Sequence, residues 1–91
     1  MSRAYDLTVR TTNTTKEQLH KILVFDFGWD ELDLRDLEFS GTGSLCGGQS
    51  EEEAHNEISK AIKKLNPKAK VRTIWTCLEN MPCEEYGDEV D

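Results

Sequence analysis

SEEEAHNEISKAIKKLNP, residues 50–67, announces an amphipathic helix with both of its ends marked. Ser50 and Glu53 form a capping box, in which hydroxyl and carboxylate satisfy each other's orphan backbone donors. Glu51, Glu52 and Glu53 complement the positive end of the helix dipole, and Lys60, Lys63 and Lys64 sit towards its negative end. Ala54, Ile58, Ala61, Ile62 and Leu65 recur at helical spacing and give one apolar stripe, and Asn66-Pro67 stops the helix.

Beyond that stop, residues 68–78 read as the last strand. Val71, Thr73, Trp75 and Cys77 alternate with Arg72, Ile74, Thr76 and Leu78. Apolar groups on both sides suit a central position in a sheet or a second covered surface. Upstream of the helix, Leu37 and Phe39 open a strand that ends near Ser40-Gly41. A tight turn there brings residues 42–46 back as a weak strand rich in glycine. At the start of the chain, Tyr5, Leu7 and Val9 alternate with Asp6, Thr8 and Arg10, the period of a half-buried strand. Thr14 and Glu17 then have capping-box spacing. A first helix follows with Leu19, Ile22 and Leu23 on one face, ending before Gly28.

Strand, helix, strand, strand, helix, strand is an order that resembles the ferredoxin-like split βαβ arrangement. The resemblance covers residues 4–78 and implies an α+β two-layer sandwich (βαββαβ), an antiparallel sheet with two helices on one face. That fold hosts many unrelated activities, so it implies no mechanism. Residues 1–78 are expected to be one domain. Residues 79–91 hold six acids and no base, with Met81, Tyr86 and Val90 as the sizeable apolar groups. They are expected to be a flexible acidic tail unless Tyr86 docks.

A chain of 91 residues, 36% hydrophobic and 32% charged, supplies one thin core and little room for an internal ligand chamber. Its 18 acidic and 11 basic residues give a net charge of -7, which disfavours nucleic acid and anionic lipid as direct ligands. A basic protein surface is the natural complement, although acidity also serves plain solubility. Three cysteines, Cys46, Cys77 and Cys83, are an odd set without framework spacing. With no signal-peptide pattern after Met1 and no run approaching a membrane span, a cytoplasmic protein with reduced thiols is expected.

Few residues suggest chemistry. The segment Gly41 to Gly48 leads into a helix N-terminus, but it matches no phosphate-binding spacing, and Glu51 to Glu53 occupy the positive helix end themselves. Cys46 precedes that helix and His55 lies on its second turn. A thiolate nucleophile needs positive surroundings, and three glutamates supply the opposite. No C-x-x-C pair exists, and the acids at 30–36 lack the ligand alternation of a calcium loop, so no metal or cofactor is expected. Trp75 and Tyr5 beside Lys68, Lys70 and Arg72 could form an RNA-stacking sheet face, against the overall charge.

The most informative stretch is residues 25–36, where acid is interleaved with Phe25, Phe27, Trp29, Leu32 and Leu34. One reading puts all three aromatics in the core, because small domains need them there. The other leaves Trp29 partly exposed as an anchor, ringed by Asp26, Asp30, Glu31, Asp33 and Asp36, with Glu84 and Glu85 of the tail adding long-range steering. A small acidic domain of this kind resembles phage-encoded inhibitors of host defence enzymes, the anti-CRISPR and DNA-mimic proteins. The likeness rests on size, charge and the two acidic stretches. It implies a non-enzymatic protein that binds a basic, nucleic-acid-binding surface of a partner and inhibits it, without touching nucleic acid or membrane. Two alternatives stand beside it. One is a small thiol- or ligand-dependent enzyme using the glycine turn, Cys46 and His55. The other is a homodimeric structural or adaptor subunit joined through the sheet face bearing Trp75.

Overall fold

The computed structural model describes residues 3–45, 50–77 and 84–88. Along the chain run β1 (Arg3–Thr11), α1 (Lys16–His20), a π-helical segment (Lys21–Asp26) continuous with α1, β2 (Asp30–Arg35) and β3 (Glu38–Leu45). They are followed by α2 (Glu51–Leu65), β4 (Val71–Cys77) and β5 (Glu84–Gly87). The class is α+β, with one antiparallel sheet in the order β2-β3-β1-β4-β5.

The period of two in β1 sets the layers. Tyr5, Leu7, Val9 and Thr11 are buried, as are Phe39 of β3 and Val71, Thr73 and Trp75 of β4. Leu7 sits between Gly41 and Trp75 in the register, so these side chains share one face. Leu19, Ile22 and Leu23 from the first helix and Ala54, Ile58 and Ile62 from α2 close the same core. Each large side chain fully buried there contributes roughly 1.5–3 kcal/mol. The opposite face carries Asp6, Thr8, Arg10, Ser40, Thr42, Arg72 and Ile74.

Four expectations need correction. The first helix is capped by Thr15, whose hydroxyl accepts from Gln18 N while the Gln18 side chain accepts from Thr15 N. Thr14 is instead buried and donates to the Asp36 carbonyl at 3.2 Å. Second, the β2–β3 reversal is at Asp36-Leu37, so the acidic segment 30–35 is a strand and residues 38–45 run straight through Gly41. Gly41 and Gly43 mark close approach rather than a turn. A Cβ on Gly41 would meet the Phe39 ring at 2.7 Å, and one on Gly43 would meet Trp29 Cε3 at 2.5 Å.

Third, among the described residues the sheet has five strands. Part of the expected flexible tail, residues 84–87, pairs with β4 as Thr73↔Tyr86 and Ile74↔Glu85. Asp88 fastens its end by accepting from Val71 N and Lys63 Nζ, both at 3.1 Å. Backbone pairing and this carboxylate supply the ordering energy that apolar content did not. Fourth, the helix leaves α geometry after His20. The amide of Phe27 donates to Ile22 O at 3.0 Å, five residues back. Phe27, four residues after buried Leu23, packs against the core, and Phe25 stays outside.

Candidate functional site

Trp29 is not an exposed anchor. It is 5% exposed, lies over Gly43 and meets Trp75 edge-on with ring centroids 5.5 Å apart. A flat ring beside a glycine strand fills the core better than a solvent position would, so the reading that kept Trp29 inside holds for this residue. Phe27 is half-buried, and Phe25, at 74% exposure, is the aromatic left in solvent.

The acids expected to form two patches, 26–36 and the tail, are divided among four places. Asp30, Glu31 and Asp33 are exposed on β2, which ends the sheet. Register puts Asp30 and Asp33 opposite Thr42 and Ser40 on the face away from the helices, and Glu31 opposite Gly41 on the helix side. Glu31 Oε1 lies 3.1 Å from His20 Nδ1, and Asp33 pairs with Arg35 at 3.4 Å. Asp26 ends the π segment and borders a groove between the helices with Lys21 and Lys64. Asp36 serves the fold locally, since its carboxylate accepts from Lys16 N at the start of α1. Glu84 and Glu85 stand on β5, at the other edge of the sheet, roughly 19 Å from β2 at ~4.8 Å per strand step. There Glu84 accepts from the Tyr86 hydroxyl and Glu85 from Arg72. That hydrogen bond to a carboxylate pushes the Tyr86 phenol up to about 12.

Beside β2 an apolar groove of about 370 Å³ is lined by Lys16, Glu17, His20, Lys21, Phe25 and Leu34. The Phe25 ring meets the His20 ring edge-on at 5.2 Å. Leu32, 66% exposed, stands where the β2–β3 register slips between Glu31 and Asp33. The result is an edge strand bearing three carboxylates with two large apolar side chains in solvent beside it. Charge was legible from the sequence, but Phe25 was missed as the exposed aromatic. The available signal was helical spacing, since Phe27 lies four residues after Leu23 and Phe25 only two.

His55, the other sequence candidate, is buried. Its Nδ1 lies 2.8 Å from Thr73 Oγ1, which also accepts from Trp75 Nε1 at 2.8 Å. Tyr86 stacks on the ring at 6.1 Å, and Gly87 passes so close that a Cβ there would strike His55 and the Val71 carbonyl. Burial holds the imidazole below its ordinary range, opposed by the Asp88 charge. Hydrogen bonding from Val71 N and Lys63 in turn lowers the Asp88 carboxyl. This arrangement keeps a neutral His55 as a filled, hydrogen-bonded part of the α2–β4–β5 junction. Cys46, Cys83 and the side chain of Cys77 lie outside the described residues, as do Gly47 and Gly48. Tyr5 and Trp75 face the helices and meet each other at 5.7 Å, so they offer no stacking platform on the open sheet face.

Among the described residues no group of three or more His, Cys, Asp or Glu is placed to hold a metal ion. No helix among them is long and apolar enough to cross a membrane. Compared with known proteins, the chain matches no family model, no curated protein and no solved structure.

Proposed function

We propose that the protein is a non-catalytic acidic binding module that occupies a basic, nucleic-acid-binding surface of a partner protein and inhibits it. The observation that carries this reading is the β2 edge: Asp30, Glu31 and Asp33 in solvent on one strand, flanked by exposed Phe25 and Leu32. Carboxylates steer a basic surface into contact and reject polyanions, and a large apolar group at the centre supplies the short-range adhesion that charge alone lacks. In size and charge this remains like the anti-CRISPR and DNA-mimic inhibitors encoded by phages, and a cytoplasmic location accords with such a role. The element order and the β2-β3-β1-β4 part of the sheet favour a ferredoxin-like assignment with β5 added at one edge.

The thiol-enzyme alternative draws no support from His55, whose ring is covered by β5. A dimer through the face bearing Trp75 is equally unsupported, because that face holds the helices. Displacement tests the proposal. A basic partner captured from the native host is loaded with labelled nucleic acid and titrated with this protein. Stoichiometric release is expected, and retention of the nucleic acid on a partner that still binds the protein would overturn the inhibitory reading.

A further inference from the structure

We infer that the β2 edge binds its partner by strand addition, taking an extended protein segment in which lysine or arginine alternates with apolar residues. This deepens the proposed function and rests on it. Among the described residues β2 pairs on one side with β3 and has no strand on the other, so its outer backbone groups are available for a further ladder. Side chains of an added strand fall alternately on the two faces of the sheet. Those beside Leu34 meet the apolar groove where Phe25 and the stems of Lys16 and Lys21 lie. Those beside Asp30 and Asp33 meet carboxylates on the open face. A period of two, apolar beside Leu34 and basic beside Asp30 and Asp33, fits these two faces, with Glu31 on the groove side near the slip held by His20.

Charge selects this occupant over a second copy of the chain. Two β2 edges would bring together six carboxylates, from Asp30, Glu31 and Asp33 of each copy, against two Arg35 guanidiniums, a contact of net like charge. Pairing β2 with β5 would oppose these acids to Glu84 and Glu85. Like charges placed directly across strands are destabilising. The acidic edge thus guards against self-association while remaining open to a cationic strand. The slip at Leu32 limits the ladder to a short one, and the groove then sets the register.

The experiment titrates the full chain with three synthetic peptides of about eight residues: alternating Lys-Val, the same composition in two blocks, and all-lysine. Calorimetry reads affinity and amide hydrogen exchange reads position. The alternating peptide is expected to bind at least about tenfold more tightly than the block peptide and to protect amides within residues 30–35. Phe25→Ala is expected to remove most of that preference while leaving all-lysine binding unchanged. Its exposure means that the fold is retained, which an unchanged melting temperature verifies. Equal affinity for all three peptides, or protection elsewhere than β2, overturns strand addition. Displacement of nucleic acid from the partner would in that event still stand, so the two readings fail separately.

Discussion

At the scale of single residues, the packing of Trp29 over Gly43 ties the acidic strand to the core. Gly43→Ala places a methyl group 2.5 Å from Cε3 of the buried Trp29 ring, so the ring or the strand must shift. Overpacking of this kind costs roughly 1–3 kcal/mol, which urea denaturation will detect as a lower midpoint with unchanged slope. His55 carries a pH signature with a definite sign. Its folded form is held neutral below the ordinary value of 6.5, so the unfolded chain takes the proton first as pH falls. The stability this residue contributes is full above 6.5 and is lost below it, towards the folded value. Urea midpoints measured from about pH 7.5 down to about pH 5.5 should therefore decline, and His55→Gln should flatten that decline. Asp88 acts at lower pH, since its depressed carboxyl yields its contribution only below 3.8. Sequence pattern placed His55 on the right helix but could not reveal its partner, because Thr73 lies 18 positions away on another strand.

At the scale of elements, β5 shows what pairing can do for a segment poor in apolar residues. Composition alone argued for disorder in residues 79–91, and the signal it missed is in the four residues after Cys83. Tyr86 reaches His55, Glu85 reaches Arg72, and Gly87 takes a φ of 100° that lets Asp88 turn back onto Val71. Asp88→Ala should cost about 1 kcal/mol through the Val71 amide left without its carboxylate. It should also raise hydrogen exchange in β4 without affecting β2. Helix α2 was legible almost to the residue, because its caps and its apolar stripe are local features that agree with one another. The β2–β3 hairpin was displaced for the opposite reason. Glycine usually announces a turn, but here Gly41 makes room for the Phe39 ring of its own strand and Gly43 for Trp29 from before β2. The π segment was equally hidden, since its widened turn has no sequence signature.

Across the whole molecule, the acidity read from composition separates into two edges of one sheet, and those edges have different chemistry. Glu84 and Glu85 on β5 are engaged by Tyr86 and Arg72. On β2, Glu31 is likewise engaged by His20 and Asp33 by Arg35, and what sets this edge apart is exposed Phe25 and Leu32 beside the acids. In the proposed reading, net charge sets the sign of the partner, and the fold selects the edge that meets it. The triple variant Asp30→Asn, Glu31→Gln, Asp33→Asn should bind a basic partner more weakly, with a shallower dependence on salt. The fold should survive, because all three side chains are exposed. The most direct measurement is the release of labelled nucleic acid from that partner by the triple variant, compared with release by Glu84→Gln, Glu85→Gln. Loss of release in the β2 variant with full release in the β5 variant is the predicted result. The reverse pattern, or equal release by both, would contradict a binding surface on β2.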